Sequence, residues 1–148
     1  MQADFVWRGT ISIGTSVRTE PRPQRAVVLV VTSDVELREA SARALECEGY
    51  TVLTAAHGGH AVLACMKAGR IDLLASDLWM DDVSGPALAA RLRRFCPSLA
   101  TVFFAPPGAT ECDGVLVKPF SRIDLLAASA VARARTALEP EPLATSAS

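Results

Sequence analysis

The stretch "LLASDLWM", residues 73–80, closes a short apolar run on a single acid, Asp77. Burying an unpaired carboxylate costs several kcal/mol or forces the group to neutralise, so an acid at the end of such a run marks a mouth or a site. The run itself, "IDLLAS" (71–76), reads as a strand. The question is what surrounds it and what the acid is for.

The same grammar repeats on both sides. Upstream, "RAVVLVV" (25–31) is a β-branched run too short for a buried helix, hence a strand covered on both faces. "TSDVELREASARALECEG" (32–49) follows, with Leu37, Ala40, Ala44, Leu45 and Cys47 as an apolar stripe at helical spacing and Gly49 as a natural stop. "YTVLTA" (50–55) is a second strand, and "GGHAVLACMKAG" (58–69) a helix with Val62, Leu63 and Met66 inward. Downstream of Asp77, "GPALAARLRRFC" (85–96) is a helix with Pro86 in its first turn, and "ATVFFA" (100–105) is strand four. "GVLVK" (114–118) is strand five, and "SRIDLLAASAVARARTALE" (121–139) is a long amphipathic helix opened by Ser121 and Asp124 as a capping box. Alternating strands and helices predict an α/β fold, a doubly wound five-stranded parallel sheet with right-handed crossovers. In such sheets chemistry sits at the carboxyl ends of the strands, where Asp77 stands after strand three.

This core occupies residues 26–138. Residues 1–25 form an N-terminal extension with the alternating piece "FVWRGTISIGTSV" and the stiff linker "PRPQR", while residues 139–148 have the composition of a solvated tail. At 148 residues, half of them apolar, the chain suits one domain with a real core. Its net charge of -1 is no electrostatic footprint for nucleic acid. No apolar stretch approaches the roughly 18 residues of a membrane span, and the early acid Asp4 interrupts any signal-peptide core, so a cytoplasmic protein without membrane contact is expected. Cys47, Cys65, Cys96 and Cys112 lack the spacing of a metal cluster, as do His57 and His60, and read as reduced thiols serving as small buried hydrophobes. The two histidines flank a Gly-Gly pair, as in an exposed turn opening a helix.

With the strand ends placed, three pieces come together: "VLVVTSDVELRE" with "CEGYTV" behind it, "DLLASDLWMDDVSG", and "GVLVKPF". Across residues 26 to 137 they resemble the response-regulator receiver domain of two-component signalling. The resemblance implies a flavodoxin-like sheet with strand order 2-1-3-4-5. It makes Asp77 the phosphoacceptor, Lys118 the cation that pairs with it and with phosphoryl oxygens, and Pro119 the residue behind a cis-capable bond. The chemistry agrees, since an acyl phosphate needs an exposed carboxylate, a compensating cation and usually magnesium.

Three departures follow. Where the family places two adjacent acids to hold magnesium, this chain has Thr32 and Ser33, and hydroxyls are poor magnesium ligands beside carboxylates. Asp34 comes one place later and reads better as a first-turn acid behind a capping box of Ser33 and Glu36. At the switch position after strand four, where the family has threonine or serine, stands Ala105, followed by Pro106 and Pro107. Without that hydroxyl no hydrogen bond draws the loop inward on phosphorylation. Finally, "PPGATECD" (106–113) is shorter than the 10 to 12 or so residues of a helical crossover, so the family's fourth helix is missing and the fold is shortened after strand four.

Asp77 then has two readings: a working phosphoacceptor whose weak magnesium site would draw on Asp77, Asp34 and a backbone carbonyl near Trp79, or a structural remnant paired with Lys118. Asp81 and Asp82 read as exposed loop acids and Trp79 as a packing residue. The expectation is a degenerate receiver, not an enzyme and with no resident cofactor. It would act as a protein–protein interaction module in a phosphorelay-type pathway, with a histidine kinase or downstream effector as partner. A phosphorylatable single-domain regulator is the alternative. A small α/β phosphatase or hydrolase is more remote, because the chain lacks a phosphate loop and an acid/base pair. Loss of the fourth helix is further expected to leave Val102, Phe103, Phe104, Val115, Leu116 and Val117 on a poorly covered face, inviting a homodimer or a partner.

Overall fold

A computed structural model describes residues 25–138. The N-terminal extension and the expected solvated tail therefore fall almost wholly outside the described residues. Five strands, β1 (Val27–Val31), β2 (Thr51–Ala55), β3 (Leu73–Asp77), β4 (Ala100–Ala105) and β5 (Val115–Val117), form one parallel sheet in the order 2-1-3-4-5. Four helices join them among the described residues: α1 (Val35–Cys47), α2 (Gly58–Ala68), α3 (Gly85–Leu92) and α4 (Arg122–Leu138).

Period-two alternation divides the central strands between two cores. Leu29, Val31 and Leu74 point into one with Ala61, Cys65, Leu88 and Leu92, from α2 and α3. Val28, Val30, Val102 and Phe104 point into the other with Ala44, Leu45 and Leu125, from α1 and α4. β1 and β3 are buried on both faces, as their continuous apolar runs require.

The helix starts follow capping chemistry, with one correction. Ser121 and Asp124 close a reciprocal capping box at α4, with bonds of 3.1 and 3.0 Å, and Ser84 caps α3 ahead of Pro86. At α1 the cap is Asp34, whose carboxylate accepts the Leu37 N–H at 3.2 Å; the Ser33–Glu36 box does not form. Thr32 decides the register, because its hydroxyl receives the Asp34 N–H and holds that residue at the cap.

Two helix faces also differ from expectation. In α2 the inward residues are Ala61 and Cys65, four apart, while Leu63 and Met66 are exposed. In α1 Ser41 is buried with Ala44 and Leu45, and Ala40 and Cys47 are exposed. Small side chains on the inner face let a helix lie close to the sheet, so size alone does not identify that face. α3 is shorter than its sequence pattern, ending at Leu92 with residues 93–96 in a turn.

The chain between β4 and β5 carries no helix, only turns closed by Ala109 N–H on Pro106 O and Val115 N–H on Cys112 O. The poorly covered face is nonetheless corrected. Val102 and Phe104 are buried under α4, and Phe103, Val115, Leu116 and Val117 are half-buried. β5 is only three residues long, so it presents little surface, and Leu116 and Phe120 pack into the α4-side core. What remains is a groove of about 430 Å³ between the start of β5 and α4, lined by Thr101, Asp113, Val115, Val131 and Arg135 among others.

Candidate functional site

Asp77 is the last residue of β3, buried, and held at the carboxyl end of the sheet by pairing with Phe104 of β4. β1 ends beside it, placing Thr32 directly across. The Thr32 hydroxyl donates to Asp77 Oδ2 at 2.7 Å. Thr32 is itself fully buried and locked from the backbone: its N–H donates to Ala55 O and its carbonyl accepts from the Arg38 guanidinium at 2.7 Å.

Lys118 arrives from the other side. It follows β5, its N–H donates to Ala105 O at 2.9 Å, and a cis peptide joins it to Pro119. Its ammonium stands 3.0 Å from Asp77 Oδ1. That oxygen is sealed from solvent and takes no well-directed hydrogen bond, so Lys118 meets it as an ion partner. Three strand ends thus bring together Asp77, Thr32 and Lys118, one negative and one positive charge in all.

Ala105 completes the floor, buried at the end of β4. Below β3, Gly85 opens α3 where a Cβ would come within 2.6 Å of Asp77 O and 2.7 Å of the Phe103 ring, so only glycine lets α3 start this close to the acid.

Other predicted positions stand apart. Asp34 spends its carboxylate on the first turn of α1, and Ser33 is exposed. Trp79 is 68% exposed and packs into neither core, contrary to expectation. It lines a groove of about 510 Å³ with Ser33, His57, Met80, Asp81 and Asp82.

Asp82 has a role that inspection of the sequence did not find. Its carboxylate accepts from the Gly58 and Gly59 N–H groups at 3.3 and 3.2 Å, capping α2 from a loop 24 residues away. Desolvation, the largest single influence, pushes its pKa up. The two glycine N–H groups, its own backbone N–H and nearby His57 together outweigh this and hold the carboxyl below its ordinary value. His57 is the formal N-cap of the same helix, accepting from His60 N–H. The one sequence signal was the Gly-Gly pair, which leaves two bare N–H groups at a helix start.

The geometry agrees with comparison to known proteins. The family model of the response regulator receiver domain matches residues 28–130. The sensor kinase CckA of Brucella abortus is 35% identical over 106 residues, covering 65% of this chain and 11% of that protein. The transcriptional regulatory protein TcrA of Mycobacterium tuberculosis is 32% identical over 129 residues, covering 76% of this chain and 51% of that protein. The chain therefore spans about half the length of such relatives, or less. Among solved structures, the receiver domain of the hybrid histidine kinase CckA superposes with a TM-score of 0.62 at 32% identity, covering 73% of this chain and 99% of that one. No helix among the described residues is long and apolar enough to cross a membrane. With its fold, its strand-end aspartate and lysine, and a family match over most of its length, the chain belongs to the response regulator receiver domains of two-component signalling.

Proposed function

We propose that this receiver domain acts as a cytoplasmic interaction module in a phosphorelay-type pathway, docking a histidine kinase or a downstream effector, with phosphorylation of Asp77 weak or absent. The observation that carries this is the Thr32 hydroxyl on Asp77 Oδ2 at 2.7 Å. Magnesium for phosphoryl transfer is held by one or two carboxylates turned toward it, with waters and substrate phosphates completing its shell. Here a hydroxyl donates into the site, Lys118 already balances the charge of Asp77, and Asp34 is committed to its helix. These residues fit magnesium poorly. Ala105 brings no hydroxyl to a phosphoryl group, so the switch lacks its contact.

One observation favours the alternative of a phosphorylatable regulator. Asp77 Oδ1 takes no directed hydrogen bond and faces an ammonium, so its lone pairs are not committed to a donor as those of Oδ2 are to Thr32. Exposure to a small phosphodonor with magnesium, read by intact-protein mass, separates the two. Little or no phosphoryl mass is expected. Near-complete labelling that disappears in Asp77→Asn establishes the alternative. In parallel, magnesium should leave Trp79 fluorescence unchanged in a Trp7→Phe background, and a saturable quench lost in Asp77→Asn overturns the poor metal fit.

A further inference from the structure

Away from Asp77, two thiols meet inside the core. Cys65 lies on the inner face of α2 and Cys96 in the turn that follows α3, their sulfurs 3.8 Å apart. Cys65 is 1% exposed and Cys96 7%, so both are buried, Cys96 the less completely. The Ile71 N–H donates to the Cys96 sulfur at 3.4 Å, and a thiol hydrogen is shared between the two sulfurs. Nothing in the Asp77 site uses either group.

The environment gives the thiols different parts. Burial, then the hydrogen bond and charge of Cys96, push the Cys65 thiol up to about 11, so Cys65 keeps its proton. Cys96 receives the Ile71 N–H and is the less deeply buried of the two, so its sulfur is the one a small oxidant meets first. We propose that Cys65 and Cys96 form an oxidant-responsive dithiol that closes to a disulfide, clipping α2 to the end of α3 around the segment that carries Asp77.

The oxidant is a hydroperoxide. The Cys96 sulfur attacks one peroxide oxygen and gives up its proton; an S–O bond forms, the O–O bond breaks, and the departing oxygen takes that proton and leaves as water or alcohol. The Cys65 sulfur then attacks the sulfenic sulfur of Cys96; the S–S bond forms, the S–O bond breaks, and hydroxide leaves with the Cys65 proton as water. Two thiols lose two electrons and the peroxide gains them. The sulfurs, already in contact at 3.8 Å, have to close to the roughly 2.05 Å of a disulfide.

Cys47 and Cys112 are exposed and are replaced by serine for the test, since neither supports the core. The folded Cys47→Ser/Cys112→Ser protein is treated with hydrogen peroxide, then unfolded in an alkylating reagent. Before oxidation two thiols should alkylate. Afterwards none should, the intact mass should fall by two hydrogens, and a peptide map should join the Cys65 and Cys96 fragments until a dithiol reductant parts them. Two thiols that still alkylate, Cys96 oxidised to sulfinic acid without a link, or a link that forms only under denaturant each overturn the proposal. In a folded Cys65→Ala variant a sulfenic-acid trap should label Cys96, and absence of that label overturns the order of attack.

Discussion

The hydroxyl of Thr32 donates to Asp77 Oδ2 at 2.7 Å, joining the ends of two adjacent central strands across 45 positions of sequence. Where two acids would repel one another without a cation, this chain sets a donor against an acceptor. The site is thereby stable with no ion present.

Thr32→Val tests that bond with little change of shape. It leaves a buried carboxylate oxygen without its donor and the Asp34 N–H without its acceptor, so it reads the two bonds of this hydroxyl together; a lost buried partner typically costs about 1–3 kcal/mol. The urea midpoint should fall accordingly, whereas Thr32→Ser, which keeps the hydroxyl, should fall less. A valine variant that unfolds with the parent means the two bonds contribute nothing.

Lys118 and Asp77 are the second test. Removing one partner of a fully buried pair costs about 3–5 kcal/mol and of an exposed pair almost nothing. With side chains 29% and 11% exposed, this pair lies between those limits. Lys118→Met should therefore destabilise by about 1–3 kcal/mol. Asp77→Asn should destabilise less, because its amide oxygen still accepts from Thr32. If both variants melt with the parent, the pair is not structural.

Gly85→Ala probes the approach of α3 to the acid. The added methyl meets backbone, Asp77 O, as well as the Phe103 ring, so side-chain rotation alone cannot relieve it. Overpacking of this kind costs about 1–3 kcal/mol, and α3 must withdraw from β3. A calorimetric midpoint equal to the parent's would show that α3 shifts freely.

The strands were legible because β-branched runs are a local signal, whereas their order and the pairing of Asp77 with Lys118 were legible only through the resemblance to the receiver family. The inner face of α2 was not. Hydrophobicity ranked Leu63 and Met66 above Ala61 and Cys65, but close packing against the sheet selects small residues. The α1 cap turned on a choice between neighbours, Ser33 and Asp34, that only the tertiary anchor at Thr32 resolves. The thiol pair was invisible for the same reason, since Cys65 and Cys96 are 31 residues apart. Cover for β4 and β5 does not follow from the number of helices, because β5 is only three residues long and its Leu116 packs into the α4-side core.

Asp82 gives a pH test with a definite sign. Its carboxyl is held below the ordinary 3.8, so the unfolded chain takes up a proton more readily than the folded one as pH falls. The stability it confers is fully present above the ordinary value and is lost as pH drops through the lower folded one. Asp82→Asn removes the charge while keeping the shape. Comparing urea midpoints of parent and variant at about pH 6 and about pH 2.5 isolates the effect, because every other ionisable group is common to both. The parent should lead at the higher pH and the gap should close in acid. The gap should be small throughout, since Asp82 is exposed and solvent screens it. A gap that persists in acid would mean that the bonds to Gly58 and Gly59 depend on geometry and not on charge. If no gap appears at either pH, the α2 start is held by His57 alone.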